Sequence, residues 1–223
     1  MKKYFLLYLF FSPTLLALDI AEPQSTCKKC STELLAKTNL AEIPLVKLLR
    51  MKNDLYATKG YRFQKQELQA YYEQQHWYKP TKDNSSVTLT VIEQKNVDLL
   101  QKQILILEKT HTEIIAQLEH LTQLAQDKVL LEKTMKMTID KEHWPIFQKL
   151  LNTIDNEALK QSGFYSVNID NGLSWQGYQA YIHHNQLVLS FNESGDFDDE
   201  WAIYWVFELE HQSLKYIRTD IAG

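Results

Sequence analysis

Between Pro80 and Pro145 the chain holds neither proline nor glycine, the two residues that most readily interrupt regular backbone, and no other feature limits its fold so strongly. A long helix is predicted there. From Val97 the apolar residues return in a heptad. Val97, Ile104, Leu118 and Ala125 form one row and Leu100, Leu107, Ile114 and Leu121 the other, with His111 interrupting the first. Read from Val91 to about Thr134, with the heptad segment over 97–135, such a helix would be ~65 Å long. A stripe of that length has to be covered, either by the same helix of a second chain or by helices of its own. It exceeds what a small module can mask, so a homodimer paired through residues 97–125 is the expected arrangement. His111 would then face inward and could set register.

Ahead of this helix the pattern is that of a small, mainly helical module over residues 31–96. Leu45, Leu48, Leu49, Lys52, Leu55 and Tyr56 fall at helical spacing from Pro44, which suits the start of a helix. Gly60 directly after them reads as the left-handed terminator, turning Tyr61 and Phe63 back onto the helix. A second short helix is predicted over Lys65 to Gln75. Pro80 disfavours helix at Lys79, so Trp77-Tyr78-Lys79-Pro80 should run extended and lay Trp77 across the two helices. The polar turn Asp83-Asn84-Ser85-Ser86 and a strand-like Val87-Thr88-Leu89-Thr90 lead into the long helix.

Three blocks in this region, Asn53 to Phe63, Trp77 to Pro80 and Ile92 to Asn96, resemble the YARHG domain over about residues 31–108. Tyr56, Ala57 and Gly60 match the Tyr-Ala-Arg-His-Gly run that names the family, while Thr58 and Lys59 replace its Arg and His. The resemblance implies an exported bacterial protein, extracellular or wall-associated, and implies no reaction.

The N-terminus agrees with export. Lys2 and Lys3 precede an almost wholly apolar run from Tyr4 to Leu18, which reads as a signal peptide over residues 1–21. At ~15 residues that run is shorter than the ~20 a spanning helix requires, so no membrane span is expected after cleavage. The expected location is periplasmic or secreted. The net charge is −4, with Lys and Arg interspersed among Glu and Asp, which argues against nucleic acid as a partner. The only cysteines, Cys27 and Cys30, lie in a leader over residues 22–30. A thioredoxin-like redox pair would need a βαβ context, and a zinc ribbon of the kind some YARHG relatives carry would need a second pair. A small oxidised loop in a flexible leader is the preferred reading, since exported dithiols tend to become disulfides.

Residues 140–223 change character and read as an α+β unit: a helix from Trp144 to Gln161, then an antiparallel β-meander. Its strands are placed at Phe164 to Ile169, Tyr178 to His183, Gln186 to Asn192, Trp201 to Glu208 and Leu214 to Asp220, with tight turns at His184-Asn185 and Gln212-Ser213. The pattern is weakly similar to NTF2-like and cystatin-like domains. The whole chain is thus α+β, with a coiled-coil-like helix between its two units.

Tyr56, Trp77, Tyr78 and Lys79 are the candidates for ligand contact, because aromatic faces stack on sugar rings and a lysine meets carboxylates or phosphates. Core packing competes for the same rings in so small a module. Asn53 is expected to bond backbone at a helix end. The acidic stretch Glu193 to Glu200 lacks the ligand spacing of an EF-hand loop. His183 and His184, adjacent in a strand or turn, should point to opposite faces and fail to chelate one ion. No metal or cofactor is expected, and no local catalytic motif appears, so the chain is read as a non-enzyme. The leading function is an envelope-associated binding protein whose module engages cell wall or an envelope protein. The alternative is a dimeric adaptor presenting its C-terminal sheet to a protein. A weaker one is small-ligand binding or hydrolysis in an NTF2-like cavity lined by Tyr181, His183 or Asp220.

Overall fold

The computed structural model of the chain describes residues 27, 29–170, 172, 174–195 and 200–223. The signal peptide expected over residues 1–21 lies outside them, as do most of the leader and Asp196, Phe197, Asp198 and Asp199 of the acidic stretch. The N-terminal unit contains α1 (Lys37–Leu40), α2 (Leu45–Ala57) and α3 (Gln66–Glu73), and the long helix follows as α4 (Val91–Leu124). The C-terminal unit adds α5 (Lys128–Met135), α6 (Trp144–Thr153), α7 (Asn156–Ser162) and five strands. Among the described residues no helix is long and apolar enough to cross a membrane.

The start of α4 is set by side-chain capping. Thr90 Oγ1 accepts from the Glu93 amide at 3.2 Å, and Glu93 Oε2 accepts from the Thr90 amide at 2.7 Å. This reciprocal box satisfies two donors that a helix start leaves unpaired. It also explains why Val87 to Thr90 forms no strand: no neighbouring strand pairs with it, and Thr90 serves as the helix cap. The far end falls ten residues short of Thr134, at Leu124. Asp127 Oδ1 accepts from the Leu130 amide and starts α5 as a separate helix, so α4 measures about 51 Å. Asp155 divides the helix expected from Trp144 to Gln161 in the same way, accepting from the Ala158 amide at 3.0 Å to begin α7.

The predicted stripe is buried along its whole length, and its own chain covers it. Val97, Leu100, Ile104 and Leu107 pack with Leu40, Leu45, Leu48, Met51 and Leu55 of α1 and α2. Two turns further on, Ile114, Leu118 and Leu121 pack with Leu131, Phe147, Leu150 and Leu159 and with the sheet. The surface expected to pair two chains is therefore occupied within one. The dimer argument weighed the stripe against the small module alone, whereas two units share it end to end. His111 stands at the changeover, buried, and faces α7 rather than a second copy of α4.

The strands β1 (Phe164–Asp170), β2 (Ser174–His183), β3 (Gln186–Gly195), β4 (Glu200–Glu210) and β5 (Ser213–Ala222) form one antiparallel meander in chain order. Alternation assigns the faces. Tyr178, Ala180, Ile182, Leu187, Leu189, Phe191, Ile203, Trp205 and Phe207 are buried in the C-terminal core, with Trp205 edge-on to Phe147 of α6 at 5.0 Å. The last turn sits at His211-Gln212, one residue before its predicted place, with φ of 48° and 66°. A positive pair matches the twist of adjoining strands, as in type I′ turns. The register slips between Val206 and Phe207, where a bulge lies.

Candidate functional site

The three sequence blocks converge on the turn that ends α2. Gly60 has φ +79°. Its amide donates to the Ala57 carbonyl at 2.9 Å, and the Tyr61 amide reaches back to Tyr56 at 3.1 Å, the paired bonds of a Schellman terminus. A Cβ at Gly60 would stand 2.5 Å from the Lys79 carbonyl oxygen, so the Trp77 to Pro80 segment can lie this close only over glycine. Thr81 locks that approach, its amide and hydroxyl both donating to the Gly60 carbonyl at 2.8 and 3.0 Å.

From this turn the rings form a continuous ladder: Tyr56 to Tyr61 at 5.5 Å, Tyr61 to Phe63 at 5.2 Å, Phe63 stacked on Tyr72 at 4.7 Å, and Tyr72 to Trp77 at 5.9 Å. Tyr78 is buried and its hydroxyl donates to the Tyr61 carbonyl at 2.8 Å, which makes it a strut of the fold. Tyr72 is buried too, and its hydroxyl donates to Asp54 Oδ1 at 2.7 Å. Burial, then the Asp54 charge, push the Tyr72 phenol far above its usual range and hold the proton on it. Trp77 is half-buried, and its Nε1 has no hydrogen-bond partner among the described residues. Tyr56 is half-buried and Lys79 exposed. Asn53, expected to bond backbone, is half-buried within α2 and its side chain bonds nothing among the described residues; its neighbour Asp54 carries the buried polar contact.

A second polar knot joins the cysteine loop to α4. Cys27 and Cys30 are disulfide-bonded, and Cys30 is fully buried beside the apolar residues of α1, α2 and α4, so the pair belongs to the core and not to a loose leader. Asn96 Nδ2 donates to the carbonyls of Cys30 and Glu33, both at 2.7 Å, and its Oδ1 accepts from the Leu35 amide at 2.9 Å. Glu93, almost wholly buried, pairs with Lys59 Nζ at 2.9 Å. Burial raises the Glu93 pKa, but the Thr90 amide, Lys59 and the Ser31 hydroxyl together carry it below the ordinary carboxylate value. Sequence reasoning passed over Glu93, although Thr90-x-x-Glu93 before an apolar run is a capping-box signature. Nothing local marks Asn96, whose partners lie more than sixty positions upstream.

The adjacent imidazoles overturn another expectation. His184 adopts φ +54°, which breaks strand alternation and brings its ring to 4.0 Å, centroid to centroid, from that of His183. Both face Glu42 from the turn between α1 and α2: Glu42 Oε2 is 3.0 Å from His184 Nε2 and 4.0 Å from His183 Nε2. One ligand atom from each of the three lies within 4.8 Å of the others.

The NTF2-like cavity is not built from the residues proposed for it. Tyr181 and His183 stack on the sheet face opposite the core, and Asp220 bonds Arg218 at the surface. A groove of about 610 Å³ lies instead between the end of α4, α5 and β5, lined by Gln117, His120, Thr134, Lys136, Lys215 and Tyr216 among others. Among the described residues no carboxylate lines it.

The family model of the YARHG domain matches residues 26–104, so this stretch, from the disulfide into α4, is a YARHG domain. No curated protein and no solved structure matches the chain.

Proposed function

We propose that a chain built on this YARHG domain works outside the cytosol as a non-catalytic binding protein of the bacterial envelope, periplasmic or secreted, with the domain engaging cell wall or an envelope protein. The observation that carries this reading is the Cys27–Cys30 disulfide, with Cys30 inside the domain core. Disulfides persist in oxidising compartments and are rare where thiol reductants circulate, and the apolar leader over Tyr4 to Leu18 gives the route there. The buried carboxylates of the domain are committed to structure, Asp54 to Tyr72 and Glu93 to Lys59 and Thr90, which supports a binding role over a catalytic one. The contact face is drawn from Tyr56, Lys79 and the open edge of Trp77.

Co-sedimentation with purified peptidoglycan tests this. Retention that Lys79→Glu weakens at unchanged circular dichroism supports the reading, and no retention of either form by sacculi or by an envelope extract contradicts it. A second reading, an adaptor that docks a protein on the outer face of the sheet, is favoured by Trp175 and Tyr204, which stand 57% and 38% exposed there.

A further inference from the structure

The β2–β3 hairpin meets the YARHG domain at one place where three ligating side chains converge. His183 pairs with Gln186 at the end of the ladder, and His184 and Asn185 form the turn. Asn185 pins that turn to β4: its Nδ2 donates to Glu208 Oε1 at 2.8 Å, and its carbonyl accepts from the Leu209 amide at 2.7 Å. Tyr181 lies parallel to the His183 ring at 5.9 Å, with 15° between the planes. The rings therefore project from a fixed turn. His184 holds a left-handed backbone that a non-glycine residue adopts at a cost, and retained strain of this kind concentrates at functional sites.

We propose that Glu42, His183 and His184 form a binding site for a divalent transition-metal cation of the zinc class, bridging the YARHG domain and the C-terminal sheet. Two imidazoles and one carboxylate are the donor set of open zinc sites, in which solvent fills the fourth position. Calcium and magnesium require oxygen ligands and are disfavoured here. Donor atoms around a tetrahedral ion with bonds of about 2.0–2.1 Å lie roughly 3.4 Å apart. The observed separations from Glu42, 3.0 and 4.0 Å, bracket that value. Glu42 has 78% of its side chain exposed, so its carboxylate can swing the remaining fraction of an ångström without disturbing the core. An ion here would tie together residues 141 positions apart in sequence and fix the hairpin against the α1–α2 turn.

The test is a calorimetric titration of Zn²⁺ into the full chain, carrying no histidine tag and kept oxidised so that Cys27 and Cys30 stay out of the coordination. One ion per chain is expected. Glu42→Gln and His183→Gln should each weaken it by at least about tenfold, a loss that even an outer-shell partner of a metal produces, while His120→Gln on α4 leaves it unchanged. Circular dichroism checks that the variants fold, and Glu42→Gln, at an exposed turn, decides the matter if a histidine variant does not. Absence of saturable binding, or binding that Glu42→Gln leaves intact, overturns the proposal and leaves the three as an ion-paired cluster only.

Discussion

His111 on α4 fills the space that a side chain on Gly163 would take: a Cβ at Gly163 would stand 2.9 Å from His111 Cε1. Gly163 ends α7 at φ +76°, where any L side chain is strained. Gly163→Ala is therefore expected to lose about 1–2 kcal/mol to the left-handed backbone alone, and more through displacement of the imidazole. Gly172→Ala is the control, at φ +82° with nothing among the described residues within 4 Å of the added carbon. Urea unfolding should show Gly163→Ala as the more damaging of the two.

The same imidazole makes stability depend on pH. Its Nδ1–H donates to the Lys160 carbonyl at 3.0 Å. Burial lowers the His111 pKa, against smaller upward pulls from that bond and from Glu108. A histidine depressed in the folded state binds fewer protons there than when unfolded, so its contribution is fully present above the unfolded pKa of about 6.5. It is lost as pH falls through the folded value. The melting temperature should drop below pH ~6.5, and His111→Gln should flatten that drop relative to the wild type.

Asn96 is the bolt between the disulfide loop and α4. Asn96→Ala removes bonds to three backbone groups, of which the Cys30 carbonyl is buried and the other two partly so, and a buried group left unsatisfied costs about 1–3 kcal/mol. The variant should lose roughly 1–3 kcal/mol. Limited proteolysis should cut between Cys27 and Leu35 before any other place in the domain.

Covering α4 within one chain has two consequences. Leu100, fully buried between α1, α2 and α4, should cost about 2–5 kcal/mol when truncated to Ala. Val129→Ala, at an exposed position on α5, should cost well under 1 kcal/mol. Light scattering should return the mass of one chain at concentrations where a heptad dimer would pair.

What could be read in advance were features governed by neighbours in sequence. Gly60 and Pro44 bracket α2 because their backbone limits act locally, and five strands could be placed because alternation and turn residues are short-range signals. The heptad correctly marked which residues of α4 are buried, yet a stripe carries no label for what covers it, and two units turned out to share it. The helix breaks at Asp127 and Asp155 were missed because an aspartate can cap or be solvated, and only the surrounding packing selects between these. The approach of His183 and His184 depends on a positive φ at a non-glycine residue, and their meeting with Glu42 depends on how the two units dock. Neither leaves a trace in local spacing.

The central claim, that the protein works outside the cytosol with a closed disulfide in its domain core, is tested most directly by alkylating thiols in intact cells and then fractionating them. The account predicts a chain recovered outside the cytoplasm, shortened near residue 21 and unlabelled at Cys27 and Cys30 until a reductant is added. A full-length cytosolic chain with both cysteines alkylated would contradict it.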